Sequence, residues 1–97
     1  MSSRNSRLDP TQRRAAVCVP RSLQAVVDAF DRGERDAHTL AAFGRAVIDA
    51  EPLARVEHLE LVDAVTLSPM PIVDQHTMVV IAVWLGDVRL IDNRRLA

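Results

Sequence analysis

Eight consecutive apolar residues, Met78 to Leu85, make the longest apolar run in the chain. The run is strand-length, far short of the ~18 residues that a membrane-spanning helix needs. It is apolar at odd and even positions alike, so the strand it predicts is expected to be the best-buried one. Gly86-Asp87 follows, a pair that suits a two-residue type II′ turn with glycine first. Val88 to Ile91 then returns as a further strand. Upstream, Arg55 to Asp63 alternates in part, with Leu59 and Leu61 on one face and Val56, His58, Glu60 and Val62 on the other. That pattern predicts a strand with one wet face. Ala64 to His76, which holds Pro69 and Pro71, reads as a loop.

The first half of the chain has helical periodicity. Asp9-Pro10-Thr11-Gln12 is a helix start, with Asp9 as cap, Pro10 at the first position and Gln12 as capping-box partner. Ala16, Val19, Leu23, Val26, Val27 and Phe30 continue at helical spacing. Pro20 lies inside this pattern and is expected to kink or split the helix, because it removes the bond to Ala16. Gly33 is the expected stop. A second helix is predicted over Asp36 to Ala50 with Leu40, Phe43, Val47 and Ala50 on its apolar face, ended by Glu51-Pro52. The two helices, joined through residues 31–35, form an αα-hairpin whose apolar stripes need a partner. The predicted fold is therefore α+β, an αα-hairpin packed on a small three-stranded antiparallel sheet.

With 97 residues the chain is one domain at most. It can bury roughly 60–65% of the surface its unfolded form exposes, enough for a core but not for a deep private cleft as well. Cys18 is the only cysteine, so an internal disulfide cannot form. This fits a reducing compartment, and with no apolar leader at the N-terminus a cytosolic location is expected. All twelve basic residues are arginine. Lysine chemistry (a Schiff base, a lysine base, a phosphate-loop lysine) is thereby excluded from this chain. The net charge of −1 and the absence of tyrosine argue against a nucleic-acid binder, and no membrane partner is expected. Charge is nonetheless uneven, since Arg4, Arg7, Arg13 and Arg14 stand against Asp9 alone in the first fourteen residues.

Most residues with chemical potential read as structural. His38, His58 and His76 fall in a helix start, a strand and a loop, without metal-ligand spacing, and no metal site is expected. Glu57 and Glu60, three apart in a strand, are expected on opposite faces. Cys18 reads as a packed small hydrophobe. Gly33, Gly44 and Gly86 are isolated and form no phosphate loop. Arg89 and Asp92 suit an ion pair or a capping contact. What stays open is Met1-Ser2-Ser3-Arg4-Asn5. It is either a plain polar tail or a compact set of phosphate donors, with two hydroxyls, a guanidinium and a carboxamide.

Three stretches, in order and in register, carry a resemblance. Met1-Ser2-Ser3-Arg4-Asn5 with Leu8-Asp9-Pro10 resembles the Met-Ser-Ser-Arg-Asn…Leu-Ser-Pro segment of pantothenate synthetases (pantoate–β-alanine ligases). Glu57-His58-Leu59-Glu60-Leu61-Val62-Asp63, followed by Thr66-Leu67-Ser68-Pro69, resembles that family's Asp-Tyr-Val-Glu-Leu-Val-Asp-Pro-x-Thr-Leu-x-Pro. Arg89-Leu90-Ile91-Asp92-Asn93 matches its Arg-Leu-Ile-Asp-Asn. Departures are Pro20 inside the first helix, His58 where tyrosine is common and Trp84 where arginine is common.

The resemblance implies an ATP- and magnesium-dependent ligase that activates pantoate as an acyl-adenylate, releases pyrophosphate, and passes the acyl group to β-alanine with loss of AMP. It implies a larger N-terminal nucleotide-binding domain, absent here, and a smaller C-terminal lid domain in an enzyme that is a homodimer. Residues 1–8 would be the ATP-loop segment and 9–97 the lid. Met1 would meet the adenine side, while Ser2, Ser3 and Arg4 would hold the triphosphate. The expectation is thus the lid domain alone, as a fragment, a truncated gene or a split subunit, inactive by itself, with no catalytic residue of its own. The competing expectation is a standalone interaction module that keeps the lid fold without the chemistry.

Overall fold

The structure, a computed structural model, describes residues 9–97. Its elements are α1 (Pro10–Ala15), α2 (Cys18–Asp31), α3 (Ala37–Asp49), β1 (Ala54–Asp63), β2 (Thr77–Leu85) and β3 (Val88–Arg95). The strands form one antiparallel sheet in the order β1-β2-β3, with the helices packed on one face. This is the α+β architecture that the sequence predicts.

Capping chemistry sets the helix ends. The Asp9 carboxylate accepts from the Gln12 amide at 2.7 Å, and the Gln12 side chain accepts from the Asp9 amide at 3.1 Å. This capping box satisfies two donors that the first turn leaves orphaned. The helix then breaks at Ala16-Val17, before Pro20 rather than at it. The reason is local: a proline is tolerated in the first turn of a new helix, where its missing N–H has no intrahelical partner to lose. Gly33, at φ +105°, ends α2. Its amide reaches the Phe30 carbonyl at 3.0 Å and the Glu34 amide reaches the Ala29 carbonyl at 3.1 Å, a Schellman pattern. Asp36 caps α3 by accepting from the Thr39 amide and hydroxyl at 2.9 and 2.8 Å. These bonds hold the Asp36 carboxyl below its usual range.

The buried face of α3 is not the one that apolar spacing predicts. Leu40, Gly44 and Ile48 face the core, whereas Phe43 is 43% exposed and Ala50 is exposed. Gly44 sets this seam. The buried Ser22 hydroxyl of α2 donates to the Gly44 carbonyl at 2.8 Å. A Cβ on Gly44 would come within 2.6 Å of Leu59 Cδ1 and 3.0 Å of Val26 Cγ2. The two helices and β1 meet where the side chain is smallest.

The apolar run becomes the centre of the sheet. Val79, Ile81, Val83 and Leu85 of β2 are fully buried against the helices. Gly86 has φ +63° while Asp87 has no positive φ, as a type II′ turn requires. Three details differ from expectation. β3 continues to Arg95, because its polar end still pairs with β2, Val80 opposite Asn93 and Met78 opposite Arg95. The β1–β2 register shifts between Val56 and His58, a bulge at Glu57 that reverses the alternation. Val56 therefore packs against the core together with Leu59 and Leu61, not on the wet face. Val62 is also buried, because the 64–76 loop folds back and Pro69 bridges to it.

Candidate functional site

The segment that the sequence singles out, Met1, Ser2, Ser3 and Arg4 with Asn5, lies outside the described residues. Its point of attachment is described, and it is built firmly. From α1 the Gln12 side chain donates to the Leu85 carbonyl at 3.4 Å, tying the start of the helix to the end of the β2–β3 hairpin. Gly86 makes this approach workable, since a Cβ there would sit 3.0 Å from Gln12 Nε2. Around the junction lies an open cleft of about 550 Å³ whose lining includes Gln12, Leu53, Arg55, Trp84 and Gly86. The chain preceding Asp9 thus attaches beside a recess that offers a guanidinium and an indole.

The bulge at Glu57 builds a second constellation next to this cleft. Trp84 and Arg89 pair across β2 and β3, on the sheet face away from the helices. The Glu57 carboxylate reaches the same face, accepting from Trp84 Nε1 at 2.9 Å and from Arg89 Nε at 3.1 Å. Arg89 Nη2 closes the fork on the other carboxylate oxygen. His58 Nδ1 lies 3.4 Å from Glu57. The Arg89 bond first, and the Trp84 bond second, hold the Glu57 carboxyl down to about 2. The same bond raises Arg89 above its ordinary value. Two expectations are corrected here. Arg89 pairs with Glu57 and not with Asp92, whose carboxylate instead accepts from the Asn93 amide at 2.8 Å. Glu57 and Glu60 do not point to opposite faces: Glu60 stands opposite Val80, on the face where Glu57 meets Trp84. Nothing in the residue pattern signals the bulge.

The remaining candidates stand apart. Among the described residues no three His, Cys, Asp or Glu side chains gather in a way that could hold a metal ion. Cys18 is buried at the start of α2, and burial, followed by the nearby Glu51 charge, pushes its thiol up to about 11. Such a thiol is a packing group and a poor nucleophile at neutral pH. No described helix is long and apolar enough to cross a membrane.

Comparison with known proteins places this geometry. The sequence model of the family described as pantoate-beta-alanine ligase matches residues 1–95. The chain belongs to the pantoate–β-alanine ligase family. The pantothenate synthetase of Koribacter versatilis (strain Ellin345) is 46% identical over 93 residues, which are 96% of this chain and 32% of that protein. That of Roseiflexus sp. (strain RS-1) is also 46% identical over 93 residues, 96% of this chain and 34% of that protein. The crystal structure of pantothenate synthetase from Thermus thermophilus superposes with a TM-score of 0.90 at 28% identity, covering 99% of this chain and 34% of that one. The chain spans about a third of the length of the curated relatives it matches and corresponds to their C-terminal domain.

Proposed function

We propose that this chain supplies the C-terminal, triphosphate-facing part of an ATP-dependent pantoate–β-alanine ligase. In that reading the complete enzyme joins pantoate to ATP as a pantoyl-adenylate with release of pyrophosphate. β-Alanine then attacks the mixed anhydride, forming the amide of pantothenate and releasing AMP. The observation that carries the proposal is the family match through residues 1–95, which begins at the Ser-Ser-Arg stretch itself. Ser2, Ser3 and Arg4 hold the triphosphate, and Met1 lies on the adenine side. Hydroxyl donors and a guanidinium aimed at phosphorus are the groups that stabilise charge developing in a phosphoryl or adenylyl transfer.

The described residues support this role by position. The capped and side-chain-bonded start of α1 fixes where the segment leaves the domain, and Arg55 adds positive charge in the cleft beside it. Positioned donors matter because misplacement by about 1 Å costs on the order of 10²-fold in rate. Magnesium would travel with the triphosphate. Pantoate is met by the nucleotide-binding part of the ligase, so this chain alone turns over nothing. The complete enzyme acts as a cytosolic homodimer.

The test is complementation. The part of the Koribacter versatilis enzyme that precedes the matched stretch is mixed with this chain, and AMP release from ATP, pantoate and β-alanine is followed. Dependence of AMP release on the added chain supports the proposal. A folded remainder that binds the chain but never releases AMP counts against it and leaves an interaction module.

A further inference from the structure

Helix α1 joins the segment ahead of Asp9 to the rest of the domain, and little apolar packing holds it there. It has six residues, of which Ala15 alone is buried. A helix this short is marginal in isolation, so side-chain bonds settle where it sits. Gln12 makes two of them, in opposite directions. Its Oε1 accepts from the amide of Asp9, the residue at which the leading segment departs, and its Nε2 donates to the Leu85 carbonyl at the end of β2. Among the described residues the second is the one hydrogen bond that joins α1 to the sheet. The hairpin leaves room for it, since Gly86 turns at φ +63° and a Cβ there would stand 3.0 Å from Nε2. The capping box asks only for an acceptor at this position, which glutamate supplies as well as glutamine. The donor half of the Gln12 amide is therefore surplus to the helix and is explained by the sheet.

We propose that Gln12 is a positioning residue for the adenylyl-transfer step, holding through Nε2 the point from which Met1, Ser2, Ser3 and Arg4 reach the triphosphate. The inference rests on the function proposed above and adds to it a residue outside the Ser-Ser-Arg stretch. Gln12 touches no substrate. It acts by fixing Asp9 on one side and the β2–β3 hairpin on the other, so that the donors upstream of Asp9 start from one place. A tether redistributes positions only by its own strength, and a net neutral hydrogen bond shifts such a balance by about fivefold. That figure, rather than the larger penalty of a fully misplaced donor, sets the expected effect.

Gln12→Glu separates the tether from the cap. It keeps an acceptor for the Asp9 amide and places negative charge in the first turn of α1, both of which suit the helix, but it cannot donate to Leu85. A purely structural Gln12 predicts behaviour as good as wild type or better. The proposal predicts that, with the same Koribacter remainder, kcat for AMP release falls about fivefold or more. KM for pantoate and affinity for the remainder should keep their wild-type values, and the melting temperature should not fall. Gln12→Leu, which loses both bonds without adding charge, should lower kcat by at least as much. Thr11→Glu, at an exposed neighbour, adds charge beside an intact tether and should stay within about twofold of wild type. In the wild-type chain alone, nuclear Overhauser cross-peaks from the Gln12 Nε2 protons to the Gly86 α-protons are expected. Turnover by Gln12→Glu within about twofold of wild type overturns the proposal, as does an equal loss in Thr11→Glu or the absence of those cross-peaks. The cross-peaks need no substrate, so the two readings fail separately. Cross-peaks without AMP release from any mixture sink the ligase function, and AMP release indifferent to Gln12→Glu sinks the positioning role alone.

Discussion

Gly44→Ala probes the packing that joins all three layers. The added methyl would meet Leu59 Cδ1 at 2.6 Å, Val26 Cγ2 at 3.0 Å and Ser22 Oγ at 3.1 Å. Carbon atoms at optimal separation sit roughly 3.5–4.0 Å apart, so Leu59 has to leave its rotamer or α3 has to lift. Leu59 is 2% exposed, and its movement would pass into a core with little free space. Overpacking of this kind costs about 1–3 kcal/mol. Alanine in a helix interior returns about 1 kcal/mol relative to glycine. If α3 lifts instead, the Ser22–Gly44 hydrogen bond stretches, forfeiting about 1 kcal/mol. The net cost is about 0–2 kcal/mol if Leu59 moves and about 1–3 kcal/mol if α3 lifts, which centres on a loss of about 1–2 kcal/mol with packing outweighing propensity. For a domain of this size that lowers Tm by roughly 5–15 °C. Far-UV circular dichroism melts and urea titrations measure it directly. A Gly44→Ala variant that melts at or above the wild-type temperature would refute the argument that this glycine is set by close approach.

Gly33→Ala isolates backbone strain, because φ is +105° and no atom lies within 4 Å of the new Cβ. The expected loss is about 1–2 kcal/mol from the left-handed conformation alone, measured by urea denaturation. Asp9→Ala removes the side-chain acceptor of the Gln12 amide, while the backbone N–H of residue 9 keeps its bond to Gln12 Oε1. The loss is expected to cost about 1 kcal/mol, read as fraying of α1 by hydrogen exchange at Gln12 and Arg13. Glu57 makes the pH dependence specific. Its folded value of about 2 lies below the ordinary 4.5, so its contribution is complete above about pH 4.5 and is lost as pH falls through about 2. Emission from Trp84, the only tryptophan, should report that loss with a midpoint near pH 2, and Glu57→Gln should abolish the transition. A midpoint near 4.5 would contradict the bonded geometry.

Much of the fold was legible because it is written in local chemistry. The cap at Asp9, the stop at Gly33, the strand made by the apolar run of β2 and the Gly86 turn each follow from a residue and its immediate neighbours. What was not legible depends on partners distant in sequence. The α3 face follows Gly44, because α2 and β1 approach closely there, and apolar periodicity alone favours Phe43 and Val47 instead. The bulge at Glu57 leaves no compositional trace, yet it moves Val56 to the core and carries the Glu57 carboxylate to Trp84 and Arg89. β3 outruns its apolar segment because ladder hydrogen bonds do not require apolar side chains. The candidate site at Met1–Arg4 rests on residue type and resemblance and lies outside the described residues. The described structure adds the anchored corner from which that segment departs.

The claim on which the rest depends is that the Ser-Ser-Arg stretch of this chain completes a divided ATP site. AMP release by the complemented mixture, measured with wild-type chain and with Arg4→Ala at equal complex concentration, tests it most directly. Loss of one charge-stabilising donor in such a site lowers turnover by about 10²–10³-fold, and that loss with complex formation unchanged is the predicted result. Turnover by the Arg4→Ala mixture within a few-fold of wild type, or by the remainder without this chain, would contradict it.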